Sequence, residues 1–123
     1  MAFVLITATA TFFFLMGITA LWKPEQVVAY FGTTSLTRDG RNEVRAVYGG
    51  FGVAVAVLLW STLWVPALRS GVLVAIAVSL GGMASGRFAS ALADGSPGLY
   101  PWLFCAVELA LAAALLVALG LSS

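Results

Sequence analysis

The chain has 123 residues, of which 62% are hydrophobic and 9% are charged. An ordinary soluble domain is roughly half apolar and about a quarter charged, so this composition is typical of an integral membrane protein. Histidine is absent and there is one cysteine, which excludes an intrachain disulfide and the zinc, copper and haem sites built on histidine or paired cysteines. A net charge of +1 provides no basic patch for nucleic acid. We therefore expect no metal, no cofactor and no nucleic-acid partner.

Four apolar stretches are each long enough, at about 20 residues, to cross a hydrocarbon core as a helix. They are residues 2–22, 44–65, 71–93 and 99–121. A short turn around residues 66–70 joins the second stretch to the third. The first stretch lacks the basic start and the small-residue cleavage site of a signal peptide, so we expect it to remain a helix of the mature protein. The sequence predicts an all-α, integral membrane four-helix bundle that forms a single domain over residues 1–123.

Residues 24–32, between the first two apolar stretches, predict a short helix at the membrane interface. Pro24 suits a first helical position, and Val27, Tyr30 and Phe31 supply apolar side chains. Such a helix is either a plain interfacial anchor, which we favour, or a lid that controls access to a pocket at that end of the bundle.

The charged residues are concentrated at one end of the predicted bundle. With four crossings, the loop after the first helix and the loop after the third lie on the same side of the membrane. Of the eleven charged side chains, ten lie in these loops or within a few helical turns of them, and only Arg69 belongs to the other end. By the positive-inside rule the basic first loop favours the cytoplasm, unless its arginines are retained for a pocket.

Two of these ten side chains lie below the surface. Arg87 is seven residues before Asp94, roughly 10 Å down the third helix, and Glu108 is nine residues after Leu99, roughly 13 Å down the fourth. An ionised group at such a depth costs about 2.5 to 3.5 kcal/mol and needs a partner inside the bundle. We therefore predict that Arg87 and Glu108 pair, directly or through a water.

We further predict a polar pocket at this end of the bundle. Helical spacing places the polar first turn of the second helix on one face, which we expect to point toward the Arg87–Glu108 pair. Arginine makes bidentate contacts to oxygen atoms, carboxylates balance its charge, and a tyrosine hydroxyl donates a hydrogen bond. The expected ligand-binding residues are Asn42, Glu43, Arg45, Tyr48, Arg87 and Glu108. The alternative is structural: a salt bridge that fixes helix register, with solvated or interfacial charges around it.

Small residues recur at helical spacing on three of the predicted helices and allow close backbone approach, which drives helix association in lipid. The longest stripe, on the third helix, comprises Ala75, Ser79, Gly82, Gly86 and Ser90. Shorter stripes comprise Ala46, Gly50 and Ala54 on the second helix, and Ala106, Ala110 and Ala114 on the fourth. These stripes serve either the internal bundle, which we favour, or a dimer.

Several short motifs are similar to those of a known family. They are NEVRAVYGG at Asn42 to Gly50, GR at Gly86 and Arg87, DGSP at Asp94 to Pro97, VEL at Val107 to Leu109, and KPE after the first helix. With these motifs nearly the whole chain resembles the small bacterial four-helix membrane proteins of the domain-of-unknown-function 4345 family. The resemblance implies the four-helix architecture. It marks as matching positions Asn42, Glu43, Arg45, Tyr48, Gly49, Gly50, Arg87, Asp94 and Glu108.

Three functions remain open for a protein expected in a bacterial inner membrane among membrane lipids. The first is a protein that binds a small amphipathic molecule, such as a lipid headgroup, a quinone or a small acid, with transport as a variant. The second is an accessory or assembly subunit that docks a partner membrane protein, or a homodimer. The third is an enzyme with Glu108 as acid or base. The absence of histidine and of a paired nucleophile disfavours this third function, so we expect no catalytic residue.

Overall fold

The computed structural model describes residues 1–122 and contains, within them, helices and no strand. The five helices are α1 (Ala2–Trp22), α2 (Pro24–Ala29), α3 (Arg38–Ser61), α4 (Pro66–Asp94) and α5 (Leu99–Ser122). All except the six-residue α2 are long and apolar enough to cross a membrane. The predicted all-α architecture with four membrane-length helices is confirmed.

Two of the predicted helix starts are wrong. α3 begins at Arg38, six residues before the predicted start at 44, because the Thr37 hydroxyl caps it by accepting a hydrogen bond from the Gly40 backbone N–H at 3.0 Å. α4 begins at Pro66, inside the predicted turn, because proline suits the first turn of a helix. The connection between α3 and α4 therefore covers residues 62–65.

The short helix α2 folds back toward the start of α3. It ends at Ala29, three residues before the predicted end at 32. Its buried Val27 packs with Ala20 of α1 and Val44 of α3 in a small apolar cluster. This cluster fixes the chain that follows α2 close to the charged end of the bundle.

α3 contains a π-helical segment over residues 45–50. A π-helical turn inserts an extra residue into the hydrogen-bond ladder, so the side chains before it are rotated relative to those after it. The sequence predicts one shared stripe of Asn42, Arg45, Gly49, Gly52 and Ala56. In the structure the two glycines and the alanine are buried, whereas the asparagine and the arginine are exposed. Arg45 nevertheless stays on the α1 side with the two glycines, because its Nε donates to the carbonyl oxygen of Leu21, the residue that Gly49 contacts.

The core runs along the centre of the four long helices. α1 packs along both α3 and α5, and α4 packs mainly along α5. The fully buried large side chains of this core are Ile6, Leu59, Leu73, Leu80 and Leu115. Because α4 packs mainly against one neighbour, space remains between it and α1 at the charged end of the bundle.

α1 and α3 cross in backbone contact. A Cβ atom added at Gly17 would lie 2.7 Å from the backbone nitrogen of Val53 and 2.8 Å from the carbonyl oxygen of Gly49. A Cβ added at Gly52 would lie 3.1 Å from the Cα atom of Gly17. Small residues thus allow close approach of the two helix backbones, as is usual in membranes.

The small-residue stripe of α4 does not face the bundle. Its members Ala75, Ser79, Gly82, Gly86 and Ser90 are all exposed. A Cβ added at Gly82 or Gly86 would meet no atom within 4 Å. α4 instead packs inward through larger residues on another face, namely Leu73, Ile76, Ala77, Leu80 and Ala84. The prediction that this stripe serves the internal bundle is therefore wrong.

Candidate functional site

Arg87 of α4 and Glu108 of α5 form a bidentate ion pair. The arginine Nε donates to Oε1 of the glutamate at 2.8 Å, and Nη2 donates to Oε2 at 2.9 Å. The glutamate side chain is 4% exposed and the arginine side chain 23%. The predicted pairing is confirmed. It satisfies the requirement that an ionised group inside a membrane-spanning helix faces the bundle and finds a partner.

Aromatic rings enclose the guanidinium of Arg87. Its Cζ atom lies 5.7 Å from the ring centroid of Phe31 and 5.9 Å from that of Phe104. The two rings lie 5.4 Å apart, and Tyr30 packs against Phe104 at 5.8 Å. A cation over an aromatic face is attracted by the ring quadrupole. These contacts hold the chain after α2 against α5 on the water side of the ion pair.

A cavity of about 290 Å³ adjoins the ion pair. All five helices or the chain that follows them contribute to its wall. The polar side chains of the wall are Thr19, Tyr30, Tyr48, Arg87 and Glu108. The remaining wall is apolar and largely aromatic, with Phe12, Phe13, Phe31 and Phe104 among its members. An apolar cavity with a few polar groups at one side is the usual form of a small-molecule site.

The structure brings together three of the six predicted ligand-binding residues. Tyr48, Arg87 and Glu108 all line the cavity. Whether any of them binds a ligand stays a prediction.

The other three predicted residues, Asn42, Glu43 and Arg45, lie outside the cavity wall and are exposed. Arg45 instead donates from its Nε to the carbonyl oxygen of Leu21 at 2.9 Å, at the end of α1. The expectation that the polar first turn of this helix faces the ion pair is therefore wrong. The physical reason is that Arg45 faces the end of α1, where Leu21 also contacts Gly49, and not the ion pair between α4 and α5.

Sequence reasoning missed most of the apolar wall. The run of three phenylalanines at 12–14 is a usable signal, because three consecutive positions of a helix span about 200° of its circumference and one must face inward. For residues 24–32 the sequence favours an interfacial anchor over a lid. Tyr30 and Phe31 in fact line the cavity, as a lid would. Control of access by this segment stays a prediction.

Arg69, the charged residue at the opposite end, has a local structural role. Its Nε and Nη2 both donate to the carbonyl oxygen of Thr62, at 3.1 and 2.9 Å. This carbonyl lies just beyond the end of α3, where helices leave carbonyl groups unpaired. Arg69 therefore stabilises the α3–α4 turn and does not enter the candidate site.

A family model described as a domain of unknown function (DUF4345) matches residues 1–119 of the 123-residue chain. No curated protein and no solved structure matches this chain. The match covers α1 to α4 entirely and α5 almost to its end, so it includes every residue of the candidate site.

Proposed function

This chain belongs to the DUF4345 family, which its motifs already indicated, and we propose from its own residues that it is a multi-pass membrane protein that binds a small amphipathic molecule. The binding site is the cavity beside the Arg87–Glu108 pair. The observation that carries this proposal is an ion pair inside the bundle whose two side chains line an apolar cavity. Transport of the bound molecule is a variant of the same function.

A purely structural salt bridge needs no cavity. Two helices that use an ion pair to fix their register gain most when packed side chains enclose both groups, because water and voids weaken the interaction. Here the guanidinium of Arg87 lies at the edge of about 290 Å³ of space, with aromatic rings around it. That arrangement suits a molecule with one polar group and an apolar body.

The test is native mass spectrometry of the protein extracted from its own membrane in a mild detergent. We expect the wild type to carry a small molecule that the double variant Arg87→Met/Glu108→Met loses. Arg45→Gln is the matched control, because Arg45 lies at the same end of the bundle but outside the cavity wall, and it should keep the molecule. An empty wild-type protein, or a double variant that retains the molecule, would overturn the proposal.

A second candidate function is that of an accessory or assembly subunit of a membrane complex. The observation that favours it is the stripe of small residues that α4 turns outward, with open space beside Gly82 and Gly86. Such stripes let a second helix approach closely. On this reading, a partner membrane protein or a second copy of the chain co-purifies with the wild type. A Gly82→Leu variant then loses it while the cavity keeps its ligand.

The location that we propose is a bacterial inner membrane. Helical spans support it, because proteins of the bacterial outer membrane generally cross as β-barrels. Membrane lipids would then surround the exposed apolar faces of the long helices. Fractionation of the two membranes with an antibody against the protein tests this location.

A further inference from the structure

We propose, on the basis of the binding function above, that the ligand is an uncharged, lipid-soluble molecule whose polar head carries a hydrogen-bond-accepting oxygen, such as a carbonyl. We infer also that it enters the cavity sideways from the hydrocarbon region. The proposal has three supports: the charge balance of the cavity, the hydrogen-bonding groups that it presents, and the position of its opening.

The charge of the cavity is balanced without a ligand. Among the described residues that line it, Arg87 and Glu108 are the only acidic or basic side chains, and each satisfies the other. An anion at the remaining N–H groups of the arginine would add a second negative charge beside a carboxylate that is 4% exposed, and no other cation of the wall would compensate it. An uncompensated charge in such a buried site is strongly unfavourable. The balanced charge therefore favours a neutral ligand over a carboxylate or a phosphate.

The cavity presents hydrogen-bond donors. A guanidinium has five N–H groups, and Glu108 accepts from two of them, one on Nε and one on Nη2. The arginine is also the more exposed member of the pair, with 23% of its side chain accessible against 4% for the glutamate. Tyr48 adds a hydroxyl to the same wall. A ligand therefore meets donors first, and the group that matches them is an acceptor oxygen.

Part of the exposed cavity wall lies at the depth of the hydrocarbon core. Among the exposed lining residues, Leu15 of α1 at 60% and Met83 of α4 at 43% lie deepest. Leu15 is seven residues from the end of α1 and Met83 eleven from the end of α4, so they lie roughly 10 and 16 Å below the charged end of the bundle. A hydrocarbon core is about 30 Å thick. This part of the wall therefore faces lipid chains.

A layer of stacked aromatic side chains forms the water side of the cavity, with Tyr30 and Phe31 exposed on its outer surface. Phe31 lies over the guanidinium of Arg87 at 5.7 Å, and Tyr30 and Phe31 both pack on Phe104. A molecule dissolved in water would have to displace this aromatic layer. A molecule dissolved in the bilayer reaches the same arginine past Leu15 and Met83 without doing so. Entry from lipid and an uncharged head are consistent, since neutral amphipathic molecules partition into hydrocarbon more readily than ions.

The experiment compares two photoreactive probes that share one acyl chain and differ in the charge of the head group. A long-chain fatty acid with a diazirine in the chain, and its methyl ester, are each added to the purified protein in lipid nanodiscs at a pH at which the acid is ionised. Labelling of peptides that contain cavity residues is normalised to labelling of Val117, a lipid-facing residue of α5 that is exposed and outside the cavity wall. We expect the ester to label the cavity about tenfold more than the acid, a preference of about 1.4 kcal/mol.

Variants separate the parts of the proposal. Met83→Trp narrows the opening and should lower cavity labelling by the ester. Leu116→Trp, on the exposed face of α5, is the matched control and should not. Equal or stronger labelling by the acid would overturn the uncharged-ligand inference while leaving the binding function standing. Unchanged labelling in Met83→Trp would overturn lateral entry. If neither probe labels the cavity of the wild type more than that of Arg87→Met/Glu108→Met, the inference is overturned, and the result also counts against the binding function.

Discussion

The backbone contact between α1 and α3 predicts how much stability is lost when a side chain is added at the crossing. Gly17→Ala would place a Cβ atom 2.7 Å from the backbone nitrogen of Val53. Ordinary van der Waals contact begins at about 3.4 Å, so the two helices must separate by about 0.7 Å or tilt. The two nearest opposing atoms are backbone and cannot rotate aside, unlike the tip of a flexible side chain.

The expected loss follows from two opposing terms. Overpacking of this kind costs about 1 to 3 kcal/mol, and a rigid backbone partner favours the upper end of that range. Alanine in place of glycine returns up to about 1 kcal/mol, because alanine is the better helix former. We therefore expect Gly17→Ala to lower the free energy of unfolding by about 2 kcal/mol.

The assay is unfolding of the purified protein in mixed micelles, followed by helical circular dichroism as the denaturing detergent increases. Gly82→Ala is the control, because a Cβ atom there meets nothing within 4 Å, and its stability should equal or exceed that of the wild type. A Gly17→Ala protein as stable as Gly82→Ala would show that α1 and α3 do not cross in this way. The placement of Tyr48, which follows from the same crossing, would then fail with it.

Two further predictions concern ion pairs. Arg87→Met should lower the free energy of unfolding by about 3 to 5 kcal/mol because it leaves a buried carboxylate unpaired, whereas Arg87→Met/Glu108→Met should recover most of that loss. A double-mutant cycle in the same detergent titration measures the coupling, and additive losses would contradict a coupled pair. Arg41→Ala should change stability by less than about 1 kcal/mol, since Arg41 and Glu25 meet at 3.5 Å with side chains 39% and 47% exposed. A larger loss in that titration would indicate a role for Arg41 beyond this surface contact.

The membrane-length helices were predictable because hydrophobic length is a direct physical requirement of a bilayer. The residues at which these helices start were less predictable, because a helix extends beyond its apolar stretch wherever capping and backbone hydrogen bonds support it. Thr37 before Arg38 and Asp39 was a readable N-cap signal for α3. Pro66 was likewise a readable start for α4, although the apolar pattern alone suggested a turn there.

The ion pair was predictable for a different reason. Arg87 and Glu108 lie at comparable depth in consecutive helices, and no other deep charge is available to either. The prediction for Asn42, Glu43 and Arg45 failed because it assumed that the first turn of α3 faces the ion pair, whereas Arg45 faces the end of α1. A π-helical segment has no sequence signature of its own, and it is often found at functional sites. Here it buries Gly49 against α1 while leaving Arg45 to reach the carbonyl of Leu21.

The structural and binding roles of Arg87 and Glu108 are compatible, and the geometry explains why. The glutamate is enclosed and uses both oxygens on the arginine, so it holds α4 and α5 in register. The arginine needs only part of its guanidinium for that contact and keeps further N–H groups at the cavity edge. Replacing both residues by methionine removes the donors while avoiding an unpaired buried charge. If that double variant stays folded and loses its ligand, the pair binds; if it stays folded and keeps the ligand, the pair only sets the register.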